Sequence, residues 1–123
     1  KKIESLGAGE IVITSVDREG TGEGFDLELI TKLSSLVNIP IICHGGAGKI
    51  NDVVEVFKNT NINAAMMSSV FHYNFIKENT SEVSSIEGNV EFLKSKRSFH
   101  NFEPTGILDM KKKLVENNIE CRL

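Results

Sequence analysis

Three short stretches of this 123-residue chain combine glycine with groups able to hold a charge or move a proton. They are Thr14-Ser15-Val16-Asp17-Arg18-Glu19-Gly20-Thr21, His44-Gly45-Gly46-Ala47-Gly48 and Ser68-Ser69. Glycine lets backbone N–H groups approach an anion with no Cβ in the way. Successive amides form an anion-binding concavity, and a helix N-terminus adds partial positive charge. Gly20, Gly46 and Ser69 are therefore candidate donors to one phosphate. The competing reading is that the glycines only make tight turns. Asp17 is either a catalytic or substrate-orienting carboxylate, or a residue that stabilises its own turn. Glu19 caps or lines the same loop. His44 is a candidate general acid/base or a donor to phosphate. Thr14 and Gly45 stand beside these groups as candidate lining residues.

Other chemistries find less support. A metal at His44 needs Asp17 or His72 as partners, and no ligand motif links them, so no metal is expected. Ser68-Ser69 has no nucleophile elbow and no histidine at a telling spacing, which argues against covalent serine catalysis. Met66-Met67 reads as core and His72 as a structural histidine. Lys94, Lys96 and Arg97 read as a solvated face.

The elements that must position these loops follow from hydrophobic periodicity. Ile11-Val12-Ile13 is β-branched and reads as a buried strand. Asp26 is placed to cap a helix with apolar positions Leu29, Ile30, Leu33, Leu36 and Val37, ended by Asn38. The run Ile39 to Cys43, with Pro40 near its start, predicts a second strand. Asn51 or Asp52 caps a helix carrying Val53, Val54, Val56 and Phe57. A third unit runs from Ile62 through Ala64-Ala65-Met66-Met67. Strands apolar throughout are expected in a parallel sheet covered by helices. Strand, loop and helix recur at roughly 25 to 30 residues, which predicts an α/β fold. Residues 77–103 are polar and read as an inserted loop or short helices. A last helix follows Pro104, with Ile107, Leu108, Leu114 and Val115 as its apolar face, Asn117-Asn118 as its end and Ile119 to Leu123 as a tail. In parallel α/β folds ligands bind at the carboxyl ends of the strands, where all three candidate loops lie.

Composition narrows the function classes. Fourteen Lys+Arg against 17 Asp+Glu give a net charge of −3, unsuited to nucleic acid or an anionic membrane as the main partner. No apolar run approaches the ~18 to 20 residues of a membrane span. The charged start at Lys1 is not followed by a signal-peptide core. Cys43 and Cys121 form neither a metal-ligand pattern nor a disulfide framework and read as reduced thiols of a cytoplasmic protein. The chain does not begin with Met, and is expected to be a piece of a longer product.

At this point the motifs become specific. Gly7-Ala8-Gly9-Glu10, then Ile13-Thr14-Ser15-Val16-Asp17-Arg18-Glu19-Gly20-Thr21 and Gly24-Phe25-Asp26, resemble the cyclase subunit of imidazole glycerol phosphate synthase. So do Pro40-Ile41-Ile42 with His44-Gly45-Gly46-Ala47-Gly48-Lys49, and Ala64-Ala65 with Ser69-Val70-Phe71-His72-Tyr73. The resemblance implies a (βα)8 TIM barrel in which residues 11–73 form strands six to eight, the whole chain being one partial barrel domain. It implies a cyclase in histidine biosynthesis. That enzyme takes ammonia from a glutaminase partner and converts a phosphoribulosyl aminoimidazole carboxamide nucleotide to imidazole glycerol phosphate, with no cofactor. Gly20, Gly46 and Ser69 match phosphate-binding positions, with Glu19 and Ser68 beside them. Glu10 matches a charged residue of the ammonia gate, and Asp17 a polar position at the barrel mouth.

The departures are informative. The family loop usually reads Asp-Arg-Asp-Gly-Thr, and here Glu19 replaces the second Asp. His44 stands where Ser is common, Ser68 replaces an Ala, and the stretch from about residue 75 to 103 is longer than usual. Alternatives are therefore a paralogue paired with an amidotransferase in surface-glycan biosynthesis, a non-catalytic phosphate-binding half-barrel module, and a phosphosugar isomerase with the same phosphate site. The family's catalytic aspartates lie on strands one and five, outside this chain, which has about half the ~250 residues of a barrel. The piece alone is thus expected to be inactive, and to associate with itself to cover an unpaired strand edge.

Overall fold

The computed structural model describes residues 1–78 and 101–122. Each βα unit follows from local sequence. β1 (Ile11–Thr14), β2 (Ile41–His44) and β3 (Ala64–Met66) form a parallel sheet in the order β1-β2-β3. Ile13 pairs with Cys43 and Thr14 with His44; Cys43 in turn pairs with Ala65 and His44 with Met66. The three strands therefore end at one level, and their following loops share one rim.

A one-turn helix α1 (Lys2–Ser5) precedes β1, and its Glu4 carboxylate accepts from the Asn38 N–H at 2.9 Å. Helix α2 (Leu27–Ser34) starts where the sequence places its cap: Asp26 accepts from Leu29 N–H at 3.0 Å. The same carboxylate accepts the Ser15 hydroxyl at 3.1 Å, tying the helix start to the end of β1. The helix stops short of Asn38. The hydroxyls of Ser34 and Ser35 donate back to the Thr31 and Lys32 carbonyls, a local competition that favours termination. Leu36 is left exposed beyond the helix.

In helix α3 (Ile50–Asn59) the cap is inverted relative to expectation. Asp52 lies inside the first turn, and its buried carboxylate reaches back to the N–H groups of Gly48 at 2.8 Å and Lys49 at 3.0 Å. Helix α4 (Ser69–Glu78) follows β3, and helix α5 (Ile107–Glu116) packs on α3. Its inward face is Met110 and Leu114, one turn apart; Ile107, Leu108 and Val115 are exposed, correcting the expected face. Of the stretch 77–103 expected to be inserted, Lys77 and Glu78 complete α4, while residues 79–100, with Lys94, Lys96 and Arg97, lie outside the described residues.

One face of the sheet carries the core. Ile13, Ile41, Cys43 and Ala65 pack with Ile30, Val53, Val56, Val70, Met110 and Leu114. The other face carries Val12, Thr14, Ile42, His44, Ala64 and Met66 by strict alternation. Among the described residues helices pack on the first face, and on the second Val12 is 48% and Met66 45% exposed. This corrects the expectation of Met66 as core; Met67, on the adjoining position, does pack against the core. Among the described residues no helix is long and apolar enough to cross a membrane.

Both cysteines are free, and Cys43 lies at the centre of the core. Burial pushes its thiol from 9.0 up to about 12, against a smaller lowering by a main-chain hydrogen bond. The unfolded thiol ionises near pH 9.0 while the folded thiol stays neutral. The stability associated with the neutral thiol is therefore intact below pH 9.0 and lost as pH climbs toward about 12. Urea unfolding of Cys43→Ala is expected to show a shallower loss of stability across that interval than the parent chain. Equal slopes would refute the assignment.

Candidate functional site

The candidate loops converge. A single cavity of about 110 Å³ at the carboxyl ends of the strands is lined by Glu19, Gly20, His44, Gly45, Gly46, Ala47, Met66, Met67, Ser68, Ser69 and Phe102. That space is several times what one water requires.

The loop after β1 is shaped by Ser15. Its N–H continues the ladder to the His44 carbonyl at 3.1 Å, and its carbonyl accepts from Arg18 N–H at 3.2 Å and Glu19 N–H at 2.9 Å. The Thr21 hydroxyl closes the turn on the Arg18 carbonyl at 2.7 Å. Gly20 has φ +75°, a conformation L side chains rarely adopt. The loop after β2 passes closer to its neighbours. Gly24 N–H donates to the Gly46 carbonyl at 2.8 Å, and a Cβ at Gly46 would run into the Gly24 carbonyl oxygen. Asp52 holds the far end of this loop through Gly48 and Lys49. The loop after β3 is the shortest: Ser68 leads directly into α4, whose first residue is Ser69.

The N–H groups of Gly20, Gly46 and Ser69 donate to no described residue, and all three residues line the cavity. The Glu19 N–H differs, being engaged by Ser15, and its carboxylate accepts only. Ser68 adds a hydroxyl, while its carbonyl accepts from His72 N–H at 2.9 Å. Gly45 is buried with φ +91°, and a Cβ there would meet the Ser15 carbonyl oxygen at 2.8 Å. Thr14 reaches the cavity through His44: its Oγ1 lies 3.1 Å from His44 Nδ1.

The remaining candidates lie elsewhere. Asp17 is exposed in the turn after β1 and does not line the cavity. Glu10 is exposed and immediately precedes β1, at the opposite end of the sheet. His72 is exposed on α4 rather than packed, its ring tilted 5.7 Å from that of Tyr73. Among the described residues no group of three or more His, Cys, Asp and Glu is placed to hold a metal ion.

Sequence reasoning missed three kinds of contribution. Ala47, Met66 and Met67 give the cavity an apolar side, and Met66 could have been recognised from its register beside His44. Asp52 was read as a plain cap rather than a brace for the glycine loop. Phe102 comes from a segment with no local motif.

Comparison with known proteins places this geometry among relatives. The histidine biosynthesis protein family matches residues 1–77. The imidazole glycerol phosphate synthase subunit HisF of Lactococcus lactis subsp. lactis (strain IL1403) is 55% identical over 73 residues, 59% of this chain and 28% of that protein. The protein of the same name from Saccharolobus solfataricus is 52% identical over 77 residues, 63% of this chain and 31% of the relative. That from Methanopyrus kandleri is 49% identical over 73 residues, 59% of this chain and 27% of the relative. The matched stretch thus spans less than a third of these curated relatives.

The two cavity glycines should respond differently to substitution. A Cβ at Gly20 meets nothing within 4 Å, so Gly20→Ala carries only the positive-φ penalty, about 1 kcal/mol. At Gly46 the main chains of two loops must separate, and Gly46→Ala is expected to lower stability by at least twice as much in thermal unfolding. Equal losses would mean that the loops do not meet as described.

Proposed function

The chain belongs to the histidine biosynthesis protein family, and from that premise we propose that it forms strands six to eight of a (βα)8 barrel, at the barrel's phosphate-binding end. The observation that carries this reading is the cavity itself. The loops after three consecutive parallel strands bring Gly20, Gly46 and Ser69, whose main-chain N–H groups engage no described residue, to the wall of one space. Ser69 adds the positive end of the α4 dipole. Such donors suit a phosphate monoester.

The whole protein, in this reading, is the cyclase subunit of imidazole glycerol phosphate synthase. It uses ammonia from a glutaminase partner to close the imidazole ring of a phosphoribulosyl aminoimidazole carboxamide nucleotide. The present residues grip one substrate phosphate, with Ser68 adding its hydroxyl and Glu19 bounding the same space. Thr14, Gly45 and His44 line the approach to the substrate. Asp17 takes the polar position at the barrel mouth, and the principal catalytic aspartates lie outside this chain. Glu10 belongs to the ammonia gate; its place at the opposite end of β1 supports this, because ammonia then enters through the barrel from the face remote from the phosphate. The sheet face bearing Val12, Ile42 and Ala64 becomes part of the barrel interior, which accounts for apolar residues there without helical cover.

One observation favours a second reading. His44, bonded to Thr14, puts an imidazole where the family usually has a small hydroxyl. This fits a paralogue that cyclises a different phosphorylated substrate in surface-glycan biosynthesis.

Two measurements test these proposals. Titration of the chain with inorganic phosphate, followed by amide NMR, is expected to shift Gly20, Gly46 and Ser69 together; no shift at these amides would remove the phosphate site. The complete gene product, supplied with ammonia and the histidine-pathway nucleotide, is expected to turn over, whereas the isolated 123 residues are expected not to. Turnover by the isolated chain would overturn the assignment of catalysis to missing strands. An inactive complete product that still binds phosphate would favour the glycan reading.

A further inference from the structure

The cavity has a fourth side, supplied by residues beyond those that match the family. Residues 101–105 run as a strap across the outer rim. The Asn101 side-chain amide donates to the Thr21 carbonyl at 2.9 Å, and Glu103 N–H donates to the Gly48 carbonyl at 2.8 Å. Thr105 N–H reaches the Val70 carbonyl on α4 at 3.4 Å. The strap therefore touches all three βα units. Its seat explains two glycines that the anion site does not require. A Cβ at Gly22 would lie 2.8 Å from the Asn101 carbonyl oxygen, and a Cβ at Gly48 would collide with the same atom. Between these anchors Phe102 lines the cavity, its ring 5.4 Å from that of Tyr73 in an edge-on arrangement.

This makes the cavity two-sided. Main-chain donors from Gly20, Gly46 and Ser69 occupy one part of its wall; Phe102, Met66, Met67 and Ala47 supply apolar surface. A bare inorganic anion can use only the donors. A phosphate ester can use both, setting its phosphate on the amides and a C–H surface on the aromatic ring. We propose that Phe102 is a specificity-determining residue that recognises the organic portion of a phosphate ester, so that the pocket distinguishes sugar-phosphate-like ligands from inorganic phosphate. This rests on the phosphate reading above and adds to it the side of the ligand that the backbone donors cannot read.

The probes are inorganic phosphate and ribose 5-phosphate, titrated calorimetrically into the chain and its variants. Burial of one methylene equivalent corresponds to about a fourfold change in affinity. Phe102→Ala is therefore expected to weaken ribose 5-phosphate about four- to tenfold while inorganic phosphate stays within about twofold. Phe102→Leu should recover most of the loss. Asn101→Ala, which frees one anchor and leaves the ring in place, should weaken the ester in the same direction but less. Retained inorganic phosphate binding also shows that the variants are folded. Equal weakening of both ligands, or of neither, in a folded Phe102→Ala chain overturns the proposal while leaving the phosphate site standing. Failure of the parent chain to bind either ligand overturns the phosphate reading, and this inference with it.

Discussion

The site depends on how closely two main chains approach. Gly24 donates to the Gly46 carbonyl, and no side chain can stand at Gly46 without displacing Gly24. This contact lies just past the strand ends, where the β1–β2 ladder has already been extended by Ser15 N–H to the His44 carbonyl. The loops after β1 and β2 are therefore parts of one hydrogen-bonded surface. Because the strands are parallel and in register, the start of α4 arrives at the same level through a loop of only Met67 and Ser68. Asp26 and Asp52 then fix the two helices to this surface, one through Ser15 and the other through Gly48 and Lys49. Two carboxylates that look like routine helix caps thus hold the geometry of the cavity.

Stability and binding are separated along the strands. Toward the helices, Cys43, Val53, Val56 and Val70 are almost fully buried, and each of the three valines is worth roughly 1.5–3 kcal/mol in area removed from water. On the opposite face the alternation leaves Val12 and Met66 in solvent. A monomeric soluble surface rarely carries an apolar sheet face bounded by strand edges. In the barrel proposed above this face would meet the interior, and the matched stretch spans less than a third of the curated relatives.

Much of this was legible because backbone chemistry is local. Asp26 before an apolar periodicity announces a helix start, and glycine clusters after β-branched runs announce strand ends. What failed was whatever depended on a neighbour. Met66 reads as core from its type, yet it lies on the sheet face that no described helix covers and is half-exposed. Ile107 and Leu108 outrank Met110 in hydropathy, but where α5 packs on α3 it is Met110 and Leu114 that are buried. Asp52 is one residue type with two possible cap positions, and only the path of the preceding loop decides between them. Phe102 joins the cavity across more than thirty residues of chain from Ser69, a tertiary contact with no periodic signature.

The charge pattern of the cavity constrains how it can hold an anion. No described Lys or Arg lines it, and the one ionisable carboxylate present, on Glu19, carries the wrong sign. Arg18, the nearest cation in sequence, faces Glu23 at 3.5 Å in an exposed pair of little energetic weight. Beside the His44 imidazole and the Ser68 hydroxyl, attraction then comes from fixed dipoles: three main-chain N–H groups, one of them at a helix start. Dipoles of this kind act over short distances and only when aligned, so affinity is governed by loop geometry rather than by net charge. This is why the close packing of glycines matters more here than any side-chain charge. It is also why an added apolar wall, held in place by the strap, can shift selectivity without altering the electrostatics of the grip.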